Sequence, residues 1–224
     1  MLSHVLAVLP PMLLGSQLIL TVLLIKGEIC PGQRGRIHKL LPALVALWLS
    51  SSLVTIEWLA VAGGLMYFYS QVQTKKTRDQ GPIWILHISN LLALFVLFFA
   101  PLSTANFSQA FFDLSIMGYA GAVFAHLLMV VARSRLQAFH KILPVSGIAM
   151  AMLMVVCLLL KSINMEEQAV VALTGYLVGG LALIVVSIVV WCWHLVNHKP
   201  ANKWVLGAAV CLSISAVSSL NTIY

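Results

Sequence analysis

The strongest constraint on this chain is a succession of apolar runs, most of them about as long as a bilayer is thick. A helix needs about 20 mostly apolar residues to cross about 30 Å of hydrocarbon. Seven such runs can be placed, at roughly 5–25, 40–70, 83–102, 110–132, 141–161, 169–195 and 204–223. In hydrocarbon every backbone polar group must find its partner inside the protein, so runs of this kind fold as helices. The connecting loops are too short to hold a water-soluble domain. The expectation is an all-α, polytopic membrane bundle of about seven transmembrane helices, with residues 1–224 as one transmembrane domain.

Composition removes the alternatives. Of 224 residues, 61% are hydrophobic and 8% charged, where a soluble domain carries roughly 25% charge. The net charge of +7 reflects 13 basic residues against only 6 acidic ones, not a basic cluster. A nucleic-acid partner is therefore not expected. Four Cys occur without a CxxC pair, so no thiol metal site or redox pair is expected. The first run has no basic n-region or small-x-small cleavage site and reads as a retained span.

The second run is over-long. It contains Glu57 and the pair Gly63-Gly64. A tilted or kinked helix is expected, because two passes of about 15 residues would each be short for a bilayer. With seven spans, the loops after spans 2, 4 and 6 hold eight basic residues and the opposite face holds five. The positive-inside rule then places the N-terminus inside and the C-terminus outside. Trp84, Trp191, Trp193 and Trp204 would form an aromatic belt at the inner interface. A weak repeat relates RGRIHKLLP at 34–42 to RSRLQAFHKILP at 133–144. Three spans per repeat would make a 3+3+1 plan with inverted halves. Asn106-Phe107-Ser108 matches a glycosylation sequon, a pattern common by chance.

Ionisable residues inside the membrane cost at least about 2.5–3.5 kcal/mol on insertion scales, so they point to sites. Glu57 falls in the middle of span 2, with Ser50 and Gly64 on its helical face. With Ser50 and Asn90 it defines a polar path for a proton or cation. His87 and His126 fall at matching depth in spans 3 and 4, and Asn90 follows His87 on the same face. Gly118 and Ala122 lead up to His126 on one stripe, where small residues admit a helix or a flat cofactor. Such a pair could hold a b-type haem through two axial imidazoles. His4, His140, His194 and His198 read as ordinary interfacial histidines toward the inner side, and His38 as the one histidine toward the outer side. Gly175 and Gly179 form a GxxxG in span 6, expected to pack inside the bundle.

Three functions follow. The first is a transport or channel-type component, or a membrane subunit of a larger complex, moving protons or cations past Glu57. The second is a b-haem membrane anchor that exchanges electrons with quinone. The third is a scaffold that packs against partner helices. The expected partners are the lipid bilayer and other membrane subunits or further copies of the chain. No HExxH, GxSxG, Walker A or GxGxxG motif occurs, so catalysis by the chain alone is not expected.

Overall fold

The over-long second run breaks at three consecutive serines. The hydroxyls of Ser50 and Ser51 turn back to the Leu47 carbonyl, and that of Ser52 to the Leu49 carbonyl. Hydroxyls that bond nearby carbonyls compete with helix continuation. The helix stops at Ser51, residues 52–57 form a turn, and a new helix begins at Trp58. The two helices pack as a hairpin, with the Trp48 and Trp58 rings 5.2 Å apart.

The computed structural model describes residues 2–27, 29–72, 80–99, 107–134 and 137–224, without the side chains of residues 2, 3 and 137. Asn106 of the sequon and Lys75, Lys76, Arg78 and Arg135 of the basic loops lie outside the described residues. The order is α1 (Leu2–Lys26), α2 (Pro31–His38), α3 (Leu41–Ser51), α4 (Trp58–Gln71), α5 (Ile83–Phe99), α6 (Phe107–Val131), α7 (Gln137–Ile163), α8 (Glu167–Val196) and α9 (Lys203–Leu220). A 3-10 turn at Asn221–Ile223 follows. Helix α2 runs into α3 through helical dihedrals at Lys39 and Leu40, so the basic segment 31–39 lengthens a pass that would otherwise be short. Among the described residues, five helices are long and apolar enough to cross a membrane, and α5 is a shorter apolar helix. The all-helical membrane bundle expected from the runs is the fold found, with the second run doubled back on itself.

That hairpin changes which residues share an end. One cavity is bordered by Leu6 and Pro10 of α1, Ser51 and Trp58 of the hairpin, Leu97 of α5, Asp113 of α6 and Asn221. The beginning of α1 and the close of α9 therefore lie at one end, here called the terminal end. The expected placement of the two termini on opposite sides is corrected: the extra pass brings them together. The other end, the basic end, gathers Lys26, α2, Arg133, Lys141, Lys199 and Lys203. Among the described residues, Lys161 is the one basic residue at the terminal end. His4 moves to the terminal end and His38 to the basic end, the reverse of the expectation. The two repeat segments are four passes apart, so they point the same way; the inverted relation is corrected too.

Packing centres on α1 and α6. Gly15 and Gly121 bring these helices into backbone contact: a Cβ on Gly15 would overlap the Met117 carbonyl, and one on Gly121 would meet the Gly15 Cα at 2.8 Å. At mid-depth a buried polar knot ties four helices. Gln17 Nε2 donates to Asn90 Oδ1 at 2.8 Å, and Trp48 Nε1 donates to Gln17 Oε1 at 2.8 Å. Asn90 Nδ2 donates to Thr21 Oγ1 at 3.0 Å, and Ser89 Oγ donates to the Val61 carbonyl at 3.2 Å. A buried polar group with its partners satisfied specifies one packing arrangement.

Candidate functional site

Helices α6, α7 and α8 bring three histidines together at the basic end. Gly147 on α7 makes room, because a Cβ there would stand 2.5 Å from the Trp191 ring. The indole of Trp191 fills that space, fully buried. Its Nε1 lies 2.9 Å from His126 Nδ1. An indole N–H can only donate, so His126 Nδ1 accepts and the ring proton sits on Nε2. His126 Nε2 then donates to His140 Nδ1 at 2.8 Å. That bond leaves the His140 proton on its own Nε2.

His194 completes the group, with its ring centroid 5.2 Å from that of His126. Its Nδ1 lies 2.8 Å from the Trp191 carbonyl. A carbonyl only accepts, so Nδ1 carries the proton and Nε2 keeps a lone pair in the neutral ring. Nε2 lies 3.5 Å from the His140 carbonyl, longer than a well-formed hydrogen bond. The two imidazoles thus present different faces: His140 a donor, His194 an acceptor.

These rings border a cavity of about 650 Å³ that opens at the basic end. Arg133, Lys141, Lys199 and His198 stand around it, with Val130, Leu195, Pro200 and Ala201 as apolar wall and no carboxylate among the lining residues. Arg133 and His198 each have φ of 52°, the left-handed region. They follow the ends of α6 and α8, and are the non-glycine residues of positive φ among those described. Left-handed backbone costs a residue with a Cβ roughly 1–2 kcal/mol, and such strain gathers at functional sites. Among the described residues no group of three or more His, Cys, Asp or Glu is arranged to hold a bare metal ion.

The residues singled out from sequence are dispersed. Glu57 is exposed on the turn at the terminal end, so it is not a mid-membrane carboxylate. Ser50 caps its own helix, and Asn90 belongs to the buried knot, so the three do not line one path. His87 is exposed on α5 while His126 is buried in the histidine group, so they do not face each other. Gly118 and Ala122 admit α7: a Cβ on Gly118 would meet the Met150 side chain, and Ala122 Cβ would lie 3.6 Å from one on Gly147. Gly175 and Gly179 have nothing within 4 Å of an added Cβ, so they do not pack inside the bundle. Trp84, Trp193 and Trp204 are exposed at the basic end as a belt would be, whereas Trp191 has left it for the histidines.

A family model described as an integral membrane domain matches residues 3–220. The chain belongs to that family. The match runs from the first turns of α1 to the end of α9, so the integral membrane domain includes both the buried knot and the histidine pocket. An uncharacterized protein of Haemophilus influenzae is 33% identical over 144 residues, 59% of this chain and 53% of that relative. The chain thus spans about half the length of the curated relative it matches. No solved structure matches.

Within this integral membrane domain, sequence reasoning missed His140, His194 and Trp191 as site residues. Trp191 and His194 stand near the close of one apolar run and His140 at the opening of the run before it, where an interfacial role is the ordinary expectation. The available signal was their shared end: Trp191 and His194 are one helical turn apart, and His140 opens the preceding helix.

Proposed function

We propose that this membrane protein holds a b-type haem in the pocket at the basic end, with His194 as the iron ligand. The observation that carries the reading is the chemistry of the pocket. It combines an imidazole lone pair, fixed cations, apolar wall and no carboxylate. His194 Nε2 is available because Nδ1–H is bound to the Trp191 carbonyl, the usual outer partner of a metal-ligating histidine. Arg133, Lys141 and Lys199 suit the two carboxylates of the porphyrin, since charge-assisted bonds to carboxylate are strong and directional. Val130, Leu195 and Pro200 suit its apolar face. The haem would supply one-electron chemistry; the chain holds it, screens it from lipid and pairs its charges. This moves the site from His87 and His126 to His194, with His126 and His140 behind it. The path past Glu57 has no comparable support, because its carboxylate stands on a surface turn.

The same reading places the basic end in the cytoplasm and both termini outside. Among the described residues, Lys26, Arg34, Arg36, Lys39, Arg133, Lys141, Lys199 and Lys203 stand at that end and Lys161 at the other. A bias of this size in short loops is what the positive-inside rule reads.

A partner helix on α8 is a second part of the proposal. Gly175 and Gly179 face open space, and α8 is the least covered of the long helices. Small residues on an open membrane face let another backbone approach. Replacing both with Leu should abolish cross-linked dimers in membranes; dimers of unchanged yield would argue against this contact.

The test of the haem reading is absorption by the purified protein, titrated with haemin in detergent. A Soret band that saturates at one haem per chain supports it. A colourless protein that takes up no haem ends it.

A further inference from the structure

A second cavity, of about 590 Å³, lies between α6 and α7 at the terminal end, far along the chain's passes from the histidines. Its wall is apolar: Phe111, Leu153, Val156 and Leu160. Leu153 and Leu160 are seven residues apart, so the groove runs about 10 Å along the helix axis at 1.5 Å per residue. Phe111, Val156 and Leu160 are exposed outside the bundle, so the groove faces the surrounding lipid. Its mouth is polar. It is bordered by Lys161 in the last turn of α7, Asn164 just after that helix and Ser108 in the first turn of α6.

Lys161 is the decisive residue. Among the described residues it is the one basic residue at the terminal end, and it stands at the rim of this groove. Its Nζ is held 5.3 Å over the Tyr224 ring. That ring is itself fixed: Ser108 Oγ donates to its hydroxyl at 3.1 Å, and the hydroxyl donates to the Cys157 carbonyl at 3.1 Å. Asn164 Nδ2 donates to the Leu160 carbonyl at 2.7 Å and keeps a second N–H free for another acceptor. A positioned cation and an amide donor at interface depth, above a chain-wide apolar groove, match an anionic head on an acyl tail.

We propose that this groove binds an anionic phospholipid, with an acyl chain along Phe111, Leu153 and Leu160 and the phosphate at Lys161 and Asn164. The charge complementarity is local to Lys161: it is the one basic residue described at this end, and Glu57, Asp113, Glu166 and Glu167 leave anionic lipid little attraction elsewhere on it. The site is independent of the haem pocket and of which end faces the cytoplasm.

Native mass spectrometry of the full chain, released from detergent containing phosphatidylglycerol or phosphatidylcholine, tests it. The wild type should retain one more phosphatidylglycerol than Lys161→Gln, with occupancy falling about five-fold on substitution, the scale of one exposed ion pair. Lys161→Arg should keep the lipid, and Lys26→Gln, at the basic end, should match the wild type at this tightest site. Phosphatidylcholine and inorganic phosphate should bind much more weakly. Equal retention by Lys161→Gln and wild type would overturn the site. Inorganic phosphate displacing the lipid at equal concentration would overturn the lipid as its ligand.

Discussion

At the residue scale, the histidine group rests on one donor that cannot be reversed. The Trp191 N–H assigns the proton of His126, and through it the proton of His140. Trp191→Phe keeps most of the ring but leaves His126 Nδ1 buried without a donor. The expected loss is about 1–3 kcal/mol of stability, the penalty for an unsatisfied buried polar atom. Thermal unfolding in detergent would read it. His87→Ala, on the exposed face of α5, should stay within about 0.5 kcal/mol of wild type. His126 could be read from sequence because a small-residue stripe, Gly118 and Ala122, leads to it. His87 was paired with it on depth alone, and depth says nothing of which way a helix is turned. Gln17, the centre of the buried knot, is the one amide of the first apolar run, flanked by Ser16 and Thr21, and an amide at that depth needs partners from other helices.

At the element scale, glycines separate the contacts the fold uses from those it leaves open. Gly15→Ala must push α1 away from α6, since the added carbon would overlap the Met117 carbonyl. The cost should reach or exceed the about 1–3 kcal/mol of ordinary overpacking. Gly175→Ala adds a methyl to open space and should change monomer stability by less than about 0.5 kcal/mol. Paired thermal scans of the two variants would check the contrast; equal losses would refute it. The GxxxG pattern was legible as a packing surface, but composition cannot tell whether its partner is inside or outside the chain. The α3–α4 hairpin was the larger miss. A pass of about 15 residues is short for a bilayer, and the chain meets that limit by recruiting the polar segment 31–39 as α2 ahead of α3. The three serines that end α3 were visible, yet their effect depends on hydroxyls turning inward rather than to a neighbouring helix.

At the scale of the whole molecule, one extra pass reorganises the electrostatics. Read as seven passes, the sequence divides its basic residues eight to five; with the hairpin, the described basic residues gather at one end except Lys161. A membrane-impermeant thiol reagent tests the arrangement in a variant whose own four Cys are replaced. A cysteine at Glu57 should react from the outside of intact cells, and one at Lys199 only after permeabilisation. Labelling of both from one side would contradict the fold. Fold class was legible because hydrocarbon leaves a chain few options. The site was not, because it forms from three helix ends that only the tertiary path brings together.

The same convergence carries the functional claim, and it separates two histidines that the sequence alone ranked the other way. The deciding measurement is the haemin titration repeated on His194→Ala and His87→Ala beside the wild type, followed in the Soret band. The structure predicts that His87→Ala binds as the wild type does and that His194→Ala loses the band. Loss in His87→Ala with retention in His194→Ala would contradict the pocket at the basic end.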